Sequence, residues 1–173
     1  MTFIESETIE LKSSVVADLC KEVIAFANTR GGTLYIGVED NGTVIGVDSA
    51  DRVTLQINNM VRDSIKPDIT MFVHYETQVI NDKQIIAVTV QEGTDRPYYL
   101  GSKGLKPSGV YVRNGTSTDP ASDTAIRKMI KETDGDSFET MRSLEQNLSF
   151  QAAEAQFAKR LSLIHISEPT RLD

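Results

Sequence analysis

The hydrophobic period changes twice between Thr8 and Val47, and this constrains the fold more than any other feature. Thr8-Ile9-Glu10-Leu11-Lys12 alternates, which predicts a strand with Ile9 and Leu11 on its buried face. Ser13 or Ser14 can cap a following helix. Val16, Leu19, Cys20, Val23, Ile24 and Ala27 then recur at helical spacing to about Asn28. Gly31-Gly32 ends that helix and lets the chain reverse. Thr33 to Val38 is dense in apolar residues, as a central strand would be. Asn41-Gly42 predicts a tight hairpin, both turn residues taking positive φ, with Thr43 to Val47 returning as a strand.

Further along, Val53, Ile57, Met60 and Val61 predict a second helix from about Ala50 to Ile65, stopped before Pro67. Ile69 to Val79 and Gln84 to Val90 read as two strands joined by a turn at Asn81-Asp82. Glu92 to Ser108 has no periodicity; at that length it is expected to be a functional loop or disordered, and mobile without a ligand. Val110 to Arg113 reads as a short strand, with Asn114-Gly115 turning away from it. Asp119-Pro120 is expected to open a third helix running to about Glu132. Phe138 to Arg160 has sparse apolar positions and is expected to be a helical extension that needs partner surface.

The expected class is therefore α+β: a twisted mixed sheet of about six strands, two or three packing helices and a helical C-terminal extension. The expected organisation is a domain over residues 1–133, an extension or linker over 134–160, and a non-native tail over 161–173. Leu161 to Arg171 resembles a translated sequencing adapter, so the natural sequence is expected to end near Arg160. His165 is accordingly left out of functional reasoning, and His74, alone in a strand pattern, is given no role.

Several chemistries are excluded by residue type. A single cysteine, Cys20, rules out an internal disulfide and a cysteine-rich zinc site. No HExxH or CxxC pattern exists. Gly37 and Gly42 have the spacing of a phosphate-binding loop, but Thr43-Val44 stands where its Lys and hydroxyl residue belong. No apolar run approaches the ~20 residues that span a bilayer, and no signal peptide opens the chain, so a cytoplasmic location without membrane contact is expected.

Charge argues at first against nucleic acid, because 18 Lys and Arg stand against 25 Asp and Glu, a net −7. The distribution softens this. Arg96, Lys103, Lys106, Arg113, Arg127, Lys128 and Lys131 face only Asp119 and Asp123 within one window, a balance of +5. Arg113, on a short strand beside Asn114-Gly115, is expected at a surface fit for phosphate, or for a surface ion pair.

One carboxylate set is a candidate for chemistry. Glu5, Glu10 and Asp40 could hold one or two Mg²⁺ or Mn²⁺ ions that activate water against a phosphodiester. Lys12, two residues beyond Glu10 on the same strand face, could neutralise a phosphate oxygen. Read differently, the glutamates are solvent-facing charges and Asp40 merely precedes a turn.

Glu5-x4-Glu10-Leu11-Lys12, Ala25-Phe26-Ala27-Asn28-Thr29-Arg30-Gly31-Gly32, Tyr35-Ile36-Gly37-Val38-Glu39-Asp40-Asn41-Gly42, Val44-Ile45-Gly46-Val47, Arg96-Pro97-Tyr98-Tyr99 and Tyr111-Val112-Arg113-Asn114-Gly115-Thr116-Ser117-Thr118 occur in that order. Together, over roughly Glu5 to Lys131, they resemble the Schlafen AlbA-type domain. The resemblance implies a mixed α/β fold and DNA or RNA binding, within a bacterial transcriptional regulator whose further modules this chain would lack. Animal Schlafen relatives include metal-dependent ribonucleases, whose two glutamates and aspartate fall on Glu5, Glu10 and Asp40. Those enzymes pair two lobes, so cleavage here would require a homodimer.

The preferred expectation is a binding module that contacts nucleic-acid backbone through Lys12, Arg96, Lys103, Lys106, Arg113 and Lys128. The alternatives are a Mg²⁺- or Mn²⁺-dependent endoribonuclease using Glu5, Glu10, Asp40 and Lys12, and a non-catalytic oligomerisation or signalling domain. Asn28 is assigned a structural part, ending its helix in the left-handed conformation.

Overall fold

In the computed structural model, residues 3–134 are described. They fall within one compact unit and form an α+β fold, as the pattern of periods predicts. The expected extension over 134–160, apart from Asp134, and the tail from Leu161 lie outside the described residues.

Strand β1 (Ile9–Lys12) runs parallel to β2 (Gly32–Ile36). Parallel neighbours need a crossover, and helix α1 (Leu19–Ala27) supplies it. The helix starts later than Ser13. Residues 13–18 carry the chain from the sheet layer to the helix layer, and Asp18 is the N-cap. Leu19, Cys20, Val23, Ile24, Phe26 and Ala27 are all buried, so α1 is covered on most sides. Gly31 then takes φ +76°, and a Cβ there would lie 2.6 Å from the carbonyl oxygen of Val90, so only glycine fits this reversal.

The second helix, α2 (Ala50–Ser64), follows its predicted span and passes directly into the two-residue strand β3 (Ile65–Lys66). Next, β4 (Val73–Ile80) and β5 (Lys83–Val90) form a hairpin through Asn81 and Asp82, at φ 51° and 62°. Before β4, the Asp68 side chain accepts from the Thr70 N–H at 2.9 Å and holds a short 3₁₀ turn, so the strand begins at Val73 rather than Ile69. The main sheet has the order β1-β2-β5-β4. Leu34, Ile36, Ile86, Val88 and Val90 face the helices. Leu11, Ile85 and Val38 cluster with Phe3, and with the partly buried Ile9 and Tyr35, on the other face.

Asn41-Gly42 behaves differently from expectation. Gly42 takes φ +85° but Asn41 does not take positive φ. Instead its side chain accepts from the Thr43 N–H at 2.8 Å, and Thr43 to Val47 makes one bridge, Val38 with Val44, instead of a strand. The Gly37 carbonyl accepts from both Ile45 and Gly46 N–H groups at 2.9 Å, which curls the segment into a loop.

Glu92 to Ser108 is not a structureless loop. Tyr98 is fully buried in the main core, and β6 (Tyr99–Leu100) pairs antiparallel with β3. After β7 (Tyr111–Asn114), the chain returns as β8 (Ser117–Pro120), and Pro120 therefore ends a strand instead of opening a helix. Helix α3 (Asp123–Thr133) begins one turn later because Ser122 caps it, accepting from the Ala125 N–H at 3.1 Å. Ile126 and Met129 bury against Val110 and Ala121. Among the described residues the strands thus divide into one sheet of four and two of two, rather than one sheet of about six.

Candidate functional site

Glu10 does not face solvent. In the β1–β2 register it lies opposite Leu34, on the face that packs against α1. There its carboxylate meets Arg113 of β7, whose Nη1 donates to Glu10 Oε2 at 2.9 Å, Glu22 Oε2 at 3.3 Å and Thr118 Oγ1 at 3.0 Å. Arg113 Nη2 donates to the Ser6 carbonyl at 2.8 Å. The guanidinium lies 4.9 Å from the centre of the Phe26 ring, a cation–π contact. Thr118 passes its own hydroxyl hydrogen to Glu22, and Lys12 Nζ closes on the second Glu10 oxygen.

Arg113 is thus placed differently from the exposed strand position expected of it. Its side chain is 1% exposed and its charge is opposed by two carboxylates. Burial pushes the Glu22 carboxyl above its ordinary range, and the nearby Glu10 charge pushes the same way; Thr118, Lys12 and Arg113 offset this in part. Burial alone would lower the Lys12 ammonium, but the Glu10 hydrogen bond and the charges of Glu10, Glu22 and Glu5 outweigh it, so the net shift is upward. Alternation along β7 carried a signal for this: Tyr111 is a core residue, and Arg113 lies on the same strand face two positions on.

The expected metal set is not assembled by this geometry. Glu5 accepts weakly from the Leu11 N–H at 3.4 Å, Glu10 is engaged by Lys12 and Arg113, and Asp40 is exposed on the loop after Val38. Among the described residues, no three His, Cys, Asp or Glu side chains lie close enough to hold a metal ion. A Mg²⁺ or Mn²⁺ ion therefore does not fit the side chains as they stand.

Asn28 is a clamp. It stays in the right-handed helical region, at φ −80°, and Gly31 takes the left-handed position instead. Its buried side chain donates to the Tyr98 and Tyr111 carbonyls, both at 2.9 Å, and accepts from the Tyr98 N–H at 2.7 Å. Asn28 so ties α1 to both segments that flank the 99–109 turn. Neither this partnership nor Glu22 and Thr118 was singled out by the sequence pattern.

The remaining cations separate by exposure. Arg96 is half-buried between Glu92 at 2.6 Å and Glu132 at 3.9 Å. Lys103, Lys106, Arg127, Lys128 and Lys131 are exposed. Of these five, only Lys128 has an acidic partner among the described residues, Glu132 at 3.7 Å. Lys103 and Lys106 stand on a turn whose backbone is pinned: Lys103 and Gly104 N–H groups donate to Leu100, Gly109 N–H to Lys106, and Gly101 N–H to Ser64. No helix among the described residues is long and apolar enough to cross a membrane.

Comparison with known proteins places the chain. The family model described as Schlafen, AlbA_2 matches residues 5–122. No curated protein sequence matches. Among solved structures, one similar chain is the N-terminal domain of a protein from Nitrosomonas europaea described as related to the ATP-dependent DNA helicase RecG. It is 28% identical, with 63% of this chain and 79% of that one covered and a TM-score of 0.49. Another is the DIP2311 protein of Corynebacterium diphtheriae, 17% identical, with 73% of this chain covered and a TM-score of 0.54, which shares the fold. This chain spans 24% of that protein.

Proposed function

Because this chain belongs to the Schlafen AlbA_2 family, we propose that it is a nucleic-acid-binding domain of a transcriptional regulator, holding DNA or RNA by its backbone. The observation that carries the reading is the set of exposed cations on the pinned 99–109 turn and on α3, in a chain that is otherwise strongly acidic. A turn already ordered by its backbone hydrogen bonds presents Lys103 and Lys106 with less ordering cost on binding. Phosphate contacts of this kind position a duplex or strand without reading bases. Arg113 and Lys12 leave the expected contact set, since both are engaged by buried carboxylates. The ribonuclease alternative finds no support in the geometry, because its three carboxylates do not form a metal set.

The test is binding of labelled DNA and RNA across a salt series. Lys103→Ala with Lys106→Ala should weaken all sequences about equally. It should also reduce the slope of log affinity against log salt by about 0.9 per lost duplex phosphate contact. Absence of binding at low salt, or a loss confined to one sequence, would overturn this surface.

A further inference from the structure

Strand β4 is the outer strand of the main sheet, and its eight residues, Val73–Ile80, contain no Pro, Gly, Lys or Arg. It pairs with β5 along its whole length without a bulge. Exposed edges are normally blunted by such residues, by bulges or by short length, and here only Glu76 does so. The hairpin geometry also shows which backbone groups are free. A two-residue turn at Asn81-Asp82 makes the flanking pair, Ile80 and Lys83, the one that exchanges both backbone hydrogen bonds. Just beyond the far end, Gln91 N–H donates to the Phe72 carbonyl at 2.8 Å, on the same parity. Even-numbered residues of β4 therefore bond to β5. Val73, Tyr75, Thr77 and Val79 turn their N–H and C=O groups outward, where no strand pairs with them among the described residues.

We propose that a second copy of this chain adds to this edge, β4 against β4 in antiparallel order about a two-fold axis through Thr77, joining two four-stranded sheets into one of eight. The strand is self-complementary in this register. Thr77 meets Thr77 and Tyr75 of one copy meets Val79 of the other, so the outward backbone groups of these three residues all meet partners, while Val73 falls opposite Asn81, past the end of the strand. Val79, 66% exposed in the single chain, gains a Tyr75 partner on the helix-bearing face. Glu76 lies opposite Gln78, an acceptor beside a donor. Sliding one copy by two residues one way sets Glu76 against Glu76, a like-charge pair that destabilises a sheet. Sliding it the other way sets Tyr75 against Asn81, whose left-handed backbone leaves the strand.

Sedimentation equilibrium of the 173-residue protein over a micromolar concentration series tests this. Wild type should form a dimer. Thr77→Lys sets two ammonium groups together at the axis and should weaken it about tenfold or more, whereas Gln78→Lys sets Lys opposite Glu76 twice and should tighten it about threefold to tenfold. Thr77 is exposed and Gln78 half-buried at the edge; should Thr77→Lys fail to fold, Gln78→Lys decides. Amide exchange at Tyr75, Thr77 and Val79 should slow as concentration rises. A monomer throughout, or a dimer indifferent to both substitutions, overturns the proposal. So does protection of these amides that does not depend on concentration, which would mean that another segment of the same chain covers the edge.

Discussion

Replacing Arg113 with Ala separates the two places this residue could occupy. Its guanidinium makes four hydrogen bonds, to Glu10, Glu22, Thr118 and Ser6, at 2.8–3.3 Å, with the side chain 1% exposed. Removing one partner of a buried ion pair costs about 3–5 kcal/mol, because the opposite charge stays in the interior unpaired. Here Lys12 remains on Glu10 and Thr118 on Glu22, which keeps the loss near the lower end, about 3 kcal/mol. For a chain of this size that lowers the melting temperature by about 6–12 °C. Far-UV circular dichroism is the suitable signal, since the chain has no Trp. Lys106→Ala, on the exposed turn, should stay within about 0.5 kcal/mol of wild type. Adding Glu22→Gln to Arg113→Met should recover part of the loss of that variant, because Glu22 has no other cation within ion-pair distance among the described residues once Arg113 is gone. The reasoning fails if Arg113→Ala loses less than about 1 kcal/mol and instead weakens nucleic-acid binding, the behaviour of an accessible phosphate ligand.

Two further outcomes follow from the same junction. Asn28→Ala strands the Tyr98 N–H and two buried carbonyls, and should cost about 3 kcal/mol in urea unfolding, with hydrogen exchange of the 98–109 segment rising ahead of β5; unchanged exchange there would deny Asn28 its clamping part. Burial holds the Glu22 carboxyl above its ordinary range in the folded protein, so the folded state keeps its proton over a window just above the ordinary carboxyl value, where the unfolded state has released it. Stability from this group is accordingly greatest at low pH and falls as pH rises through the window. Unfolding free energy of wild type measured against Glu22→Gln between about pH 4 and pH 7 should show wild type losing ground as pH rises; a gain instead would mean that Arg113 outweighs burial.

Local patterns determined a good part of this molecule. The spacing of Val53, Ile57 and Val61 marks α2, and the β4–β5 hairpin turns where Asn81-Asp82 stands, because each depends on neighbours a few residues apart. The family is likewise readable from short motifs in order. What the pattern left open concerns residues that meet from far along the chain. Alternation places Arg113 on one face of β7, but only the packed fold brings Glu10, 103 residues away, against it and turns an expected surface cation into a buried one. Polar composition marks Glu92 to Ser108 as a loop, yet Asn28, 70 residues from Tyr98, draws that segment into the core. The same holds for Glu5, Glu10 and Asp40, which the family resemblance groups as one set and which do not form a metal-holding group among the described residues. Periodicity states which face a side chain takes; the partner that covers the face, and with it burial, charge pairing and exposure, is decided by tertiary packing.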